Sequence, residues 1–150
     1  MAEHSFDIDG FLAEPLTACL ATNGPTLRPV WYEWEEGSFF IMSGPWTRLF
    51  EHVKTDPEIA LVVDVCEPAG GRIMVVHARG AAEVIAYDVP RGRRMLHRYL
   101  GPDEDRWPSE PSDYRSYLAG DGLPGMVWLK LTPERMTSHD FSYRTEPVTS

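Results

Sequence analysis

Apolar residues along the chain recur mostly at every second position in short runs, interrupted by stretches where the spacing lengthens to the three-and-four rhythm of a helix. Leu16 to Thr22 alternates large and small residues and stops at Asn23-Gly24-Pro25, a turn signal. Leu27 to Trp34 has period-2 aromatic character and reads as the returning strand of a hairpin. Pro29, which has no N–H for a ladder, predicts an edge, a bulge or a break in it. Glu35-Glu36-Gly37 makes a second turn, and Ser38 to Met42 a third strand. Ile59 to Cys66 is a near-continuous β-branched run, the pattern of a buried strand. Arg72 to Ile85 predicts a long strand with a bend or bulge at Gly80. Met126 to Thr132 is a last strong strand, and Arg135 to His139 continues the sheet beyond the Pro133 turn.

Helices fall between these strands. Asp7 is placed to cap a short one that runs through Phe11 and Leu12 and ends at Pro15. Leu49, Phe50 and Val53 give helical spacing from Thr47 to Thr55, with Thr47 as N-cap or first-turn residue and Asp56-Pro57 as the stop. Pro90 to Leu100 and Ser112 to Leu118 read as two more, joined by a polar segment rich in Pro, Asp and Glu. About six strands in hairpin order with three or four short helices predict a mainly β fold, a small antiparallel barrel with peripheral helices. No repeat or linker divides it. The whole chain, 1–150, reads as one domain with its core over about 11–139 and a flexible tail over 145–150.

Composition narrows the function classes. At 150 residues and 43% hydrophobic, the chain can bury a core without disulfide or metal staples, and is not disordered. A net charge of −9 argues against a nucleic-acid surface but leaves room for a small anion, which needs only two or three local cations. The aliphatic run Ile59 to Val63 falls far short of the roughly 18–20 residues of a membrane span. The acidic start MAEHSFDIDG lacks a signal pattern, so a cytoplasmic location is expected. Cys19 and Cys66, both in apolar surroundings, are expected to be small buried hydrophobes in a reducing compartment.

Most catalytic signatures are missing. The sequence has no G-x-S-x-G, no Walker-type loop, no HExxH, no CxxC and no GxGxxG. His4, His52, His77, His97 and His139 are scattered without metal spacing. One segment does assemble chemistry, from Arg28 to Arg48. Ser43 and Thr47 offer hydroxyls, and Thr47 and Arg48 stand at a helix N-terminus. Arg28 and Arg48 offer guanidinium forks, which together suit a phosphate monoester. Trp31, Tyr32 and Trp46 are placed to cover a flat aromatic ring. The plainer alternative is that Thr47 only caps a helix and Arg48 is a solvated charge.

The order strand, R-x-V-W-Y (Arg28 to Tyr32), turn, strand, S-G-x-x-T-R (Ser43 to Arg48), helix, D-P-x-I-A-L-V-V-D (Asp56 to Asp64) resembles the pyridoxamine 5′-phosphate oxidase-like family. These are FMN-binding split-barrel proteins, and they include flavin- and deazaflavin-dependent oxidoreductases. The similarity runs from about Phe11 to Thr132, and T-P-E-R (Thr132 to Arg135) also fits. The resemblance implies a homodimer of six-stranded split barrels with a cofactor in each of two clefts between protomers. It implies phosphate contacts from Arg28, Thr47 and Arg48, and contacts along the ring from Pro29, Val30, Trp31, Tyr32, Met42 and Ser43. The family commonly has Lys or Arg where this chain has Leu49, which implies one cation fewer. Met136 to Arg144 lacks the arginine cluster of the dedicated pyridoxamine-phosphate oxidases, which argues against vitamin B6 oxidation.

The expectation is therefore an oxidoreductase using FMN, or coenzyme F-420, to reduce a small organic substrate. FMN is favoured because a lost cation weakens the grip on a polyanionic tail more than on one phosphate. Tyr32 and His77 are the candidate proton donors. The alternatives are a non-catalytic protein that stores or senses a flavin, a deazaflavin or haem, the last through His52, His77 or His97, and a partner-binding domain whose tryptophans form only a dimer interface.

Overall fold

The computed structural model describes residues 6–146. Eight strands form one open antiparallel sheet: β1 (Ala18–Thr22), β2 (Thr26–Val30), β3 (Glu33–Glu35), β4 (Ser38–Ser43), β5 (Glu58–Glu67), β6 (Arg72–Ala86), β7 (Val127–Leu131) and β8 (Arg135–Asp140). Their order is β2-β1-β5-β6-β7-β4-β3, with β8 also on β6. The α-helices are α1 (Ile8–Leu12), α2 (Arg48–Thr55) and α3 (Val89–Leu100). This is the mainly β antiparallel architecture that the pattern predicts, and Asp7 and Thr47 are the caps of α1 and α2 as read from the sequence.

The two extra strands have local causes. The reading of Leu27 to Trp34 as one strand breaks at Trp31-Tyr32, so that β2 pairs with β1 while β3 pairs with β4. Pro29 is accordingly on an edge strand. Beyond Pro133, β8 adds the eighth strand, antiparallel to β6.

β6 is the hinge of the architecture. Its residues 72–81 pair with β5, and Ala82 to Ala86 pair with β7. Gly80 sits at the changeover: a Cβ there would lie 3.2 Å from Glu134 N and 3.3 Å from the Thr132 carbonyl oxygen. The absent side chain lets the Thr132–Glu134 bend pass close, and Glu134 N donates to the Arg79 carbonyl at 3.0 Å.

The barrel interior holds Leu12, Leu20, Phe39, Leu61, Val63, Val76, Leu129 and Leu131, all nearly inaccessible. A second cluster fills the space between α3 and the other face of β4 and β7, built on Phe40, Met95, Leu96, Trp107 and Trp128. The buried Trp128 indole donates to Asp88 at 3.0 Å.

Three expectations give way here. β5 is not buried on both faces: Ile59, Leu61, Val63 and Val65 point inward, while Glu58, Ala60, Asp64 and Cys66 are exposed. Its apolar alternate positions clothe an outer face that no element of the chain covers. For the same reason Cys19 and Cys66 are free and exposed, not buried. Ser112 to Leu118 forms only a single 3-10 turn, Tyr114 to Tyr117, capped by Asp113. Residues 147–150 of the expected tail lie outside the described residues.

Candidate functional site

The site grows from the end of β4. Gly44-Pro45 breaks the ladder after Ser43, and Thr47 starts α2. The Thr47 hydroxyl donates to the Gly44 carbonyl at 2.9 Å and accepts from Phe50 N at 3.1 Å. Ser43 Oγ lies 2.8 Å from the same oxygen, and with the Thr47 proton already spent on Gly44, Ser43 is the donor of that pair. These two hydroxyls therefore hold the corner together, and the expectation that they would serve a phosphate is corrected. What remains for an anion is the pair of amides at Arg48 and Leu49, which have no acceptor inside the helix, and the exposed Arg48 guanidinium. Gly44 is required for space: a Cβ there would overlap the Trp46 ring, which folds back over it.

Arg28 borders the same helix from the other side. Thr26, Arg28 and Val30 form the inward row of β2, while Leu27 and Pro29 face outward. Arg28 donates to Thr26 Oγ1 at 3.1 Å. His52 Nδ1 of α2 is 3.0 Å from Thr22 Oγ1 and 3.3 Å from Thr26 Oγ1. Since Arg48 precedes His52 by one helical turn, both guanidinium groups flank α2 on the hairpin side. Arg28 Nε is buried without a hydrogen-bond partner.

Beside this corner lies a cleft of about 240 Å³, lined by Val30, Trp31, Met42, Ser43, Trp46 and Thr47 from the segment singled out in the sequence. Its remaining wall is Ile41, Met95, Tyr114, Tyr117 and Met126. Trp31 stacks on Tyr99 with ring centroids 4.5 Å apart and planes 4° apart, and on Tyr114 at 5.5 Å and 25°. No acidic or basic side chain lines the cleft. Tyr114 and Tyr117 carried no local signal beyond a pair of aromatics in a polar segment. They reach the cleft because the chain between α3 and β7 folds back across it, held by the Tyr87 hydroxyl on the Tyr117 carbonyl at 2.8 Å.

Tyr32 is not in this wall. Its side chain is fully buried, edge-on to Phe39 at 5.5 Å and under the Arg98 guanidinium at 5.3 Å. Burial pushes its phenol well above the ordinary tyrosine value, and the oxygen has no partner. Tyr32 therefore contributes backbone only, its N–H donating to the Tyr99 hydroxyl at 3.1 Å. It does not offer a proton to the cleft. Neither does His77, which is exposed on the outer face of β6.

The fold also explains Leu49. Its side chain is 4% exposed and belongs to the barrel core. The position anchors α2 and faces away from any anion at the corner.

Helix α3 is clipped to β3 by ion pairs. Arg98 meets Glu33 at 2.6 Å, Arg94 meets Glu35 at 2.6 Å, and Arg91 meets Glu35 at 3.1 Å. Burial raises the Glu33 carboxyl despite Arg98, whereas the Arg94 hydrogen bond holds Glu35 below the usual carboxylate range. This clip carries Met95 to the cleft. Among the described residues no group of three His, Cys, Asp or Glu could hold a metal ion, and no helix is long and apolar enough to cross a membrane.

A family profile described as pyridoxamine 5′-phosphate oxidase matches residues 7–140. The chain belongs to the pyridoxamine 5′-phosphate oxidase family. Solved structures with the fold of this family include a conserved hypothetical protein of Mycobacterium tuberculosis, 18% identical with a TM-score of 0.72 over 95% of this chain and 90% of that one. An F-420 reductase is 19% identical with a TM-score of 0.61, over 85% and 94%. The haem storage protein of Vibrio cholerae is 16% identical with a TM-score of 0.62, over 86% and 89%. At these identities the likeness is one of fold. No curated protein matches the chain significantly.

Proposed function

We propose that this member of the pyridoxamine 5′-phosphate oxidase family is a flavin- or deazaflavin-dependent oxidoreductase. It binds FMN, with coenzyme F-420 as the alternative, between two copies of the chain and reduces a small organic substrate. The observation that carries the reading is a single corner where two guanidinium groups and two free helix amides adjoin an uncharged aromatic slot. Such a cofactor has the same polarity, a phosphate at one end and a planar heterocycle at the other.

The residues fit that group. Arg28 Nε is a buried donor lacking an acceptor, which an anion at the corner would satisfy. The cleft of about 240 Å³ falls below the roughly 300–1,000 Å³ of small-molecule sites, which agrees with a pocket that one chain only half encloses. Bound there, the cofactor supplies hydride transfer; the protein supplies binding, orientation and a dry surface. Arg28, Arg48 and the α2 amides hold the anionic end, Trp46 and Val30 border the ring, and Tyr114 and Tyr117 keep water from it. FMN is preferred because this set of donors matches one phosphate, and Leu49, being core, adds no charge for a longer anionic tail. None of the histidines lines the cleft, so a haem there would lack a histidine ligand.

The absorption spectrum of the purified protein tests the reading. Flavin or deazaflavin bands that bleach under a chemical reductant and return with an oxidant support it. A Soret band contradicts it, and so does a colourless protein that takes up neither FMN nor F-420. A bound flavin that no reductant bleaches would make the protein a store.

A further inference from the structure

The largest concavity of the molecule, about 560 Å³, lies on the outer face of β2, β1, β5, β6 and β8, away from the cofactor corner. Cross-strand register fixes what that face presents. One row across the sheet is Leu27, Ala21, Ala60, Arg79 and Arg135; the next is Pro29, Cys19, Val62, His77 and Thr137. The first three members of each row are apolar, and Leu27 is 71% exposed. Glu58 and Asp64 occupy the same face of β5, on either side of these rows.

Two features of this face ask for a partner. Arg79 and Arg135 are direct register partners, a like-charge pair that is unfavourable unless an anion lies between them. Among the described residues neither has an ion-pair partner, and neither do Glu58 and Asp64, whereas the arginines of α3 at 91, 93, 94 and 98 are all paired. One surface thus carries an apolar half, two unpaired cations and two unpaired carboxylates. That combination is self-complementary, as a two-fold interface requires, because the same patch must meet itself.

We propose that a second copy of this chain docks on this face, with Arg79 and Arg135 of each protomer reaching Glu58 and Asp64 of its partner around a dry centre of Ala21, Ala60, Val62 and Leu27. The small residues let two sheets approach to the roughly 10 Å of face-to-face packing. Five strands spaced about 4.8 Å apart present a face of roughly 600 Å² in projection, on the scale of the ~800 Å² per partner in stable interfaces. β2 links this surface to the site: Leu27 and Pro29 belong to the mating face, while Arg28 and Val30 belong to the corner and cleft. The second copy therefore lies against the strand that holds Arg28, and loss of the dimer loosens the cofactor corner. This inference rests on the two-copy cleft proposed above and names the surface that forms it.

Sedimentation equilibrium without any cofactor separates the two claims. The wild-type chain should be a dimer at micromolar concentration, and Val62→Asp a monomer with an unchanged circular dichroism spectrum, since Val62 is outside the core. Arg79→Asp with Arg135→Asp should raise the dimer dissociation constant at least tenfold. Adding Glu58→Arg and Asp64→Arg to that variant should restore the dimer. A monomeric wild type, a Val62→Asp protein that still dimerises, or a reversal without rescue overturns the proposal. A dimer that binds neither FMN nor F-420 leaves this interface standing and removes the oxidoreductase reading; a monomer that binds FMN does the opposite.

Discussion

Arg48 stands in the first turn of α2 with its guanidinium in solvent and no ion-pair partner among the described residues, so its replacement removes little from the fold. Arg48→Ala should weaken FMN binding by about 1.5–3 kcal/mol, the size of a charge-assisted hydrogen bond, with the thermal midpoint nearly unchanged. Calorimetric titration checks it; equal affinity in the variant would make Arg48 a plain surface charge. Leu49 behaves in the opposite way. Restoring a basic residue by Leu49→Lys places an ammonium in the barrel core, so the expected result is a loss of several kcal/mol in denaturant melts and no gain in affinity. The sequence alone gives no warning of this, because helical spacing shows an apolar stripe but not which flank of the stripe meets an anion. The two caps were legible, since a side chain and an amide three residues later settle a cap between them. Tyr32 and the cysteines were not: their facing depends on sheet parity, which is set by distant strands.

At the scale of elements, the α3–β3 clip offers a pH signature. Glu35 is held below its ordinary value by Arg94, so the native state favours its ionised form. That contribution is fully present above the ordinary carboxylate value and is lost as pH falls through the lowered folded one. Glu35→Gln should therefore lower the thermal midpoint at neutral pH, and the gap to wild type should close as the pH drops below the ordinary carboxylate range. A gap that stays constant down to acid pH would mean that the pair does not couple to folding. Strand order and the β4-to-α2 corner could be read because turn residues and caps punctuate them locally. The Tyr114–Tyr117 turn could not be placed, because its position against Trp31 rests on contacts made across more than one element.

For the whole molecule, one division of labour organises the sheet. Its inner face makes the barrel core, the outer face of β4 and β7 is covered by α3, and the outer face of β1, β5 and β6 is left to a second copy. The long β-branched run of β5 looks the same in sequence whether its second face meets a helix of its own chain or another chain, which is why it read as buried. The account depends on the corner where α2 begins beside the aromatic cleft. Its most direct test is an equilibrium titration of cofactor-free protein with FMN and with F-420, followed through tryptophan fluorescence, since Trp31 and Trp46 both line the cleft. The account predicts saturable quenching by FMN at one molecule per chain, lost in an Arg28→Ala, Arg48→Ala variant that melts as the wild type does. Absence of quenching with both cofactors, or quenching that the double variant leaves intact, would contradict it.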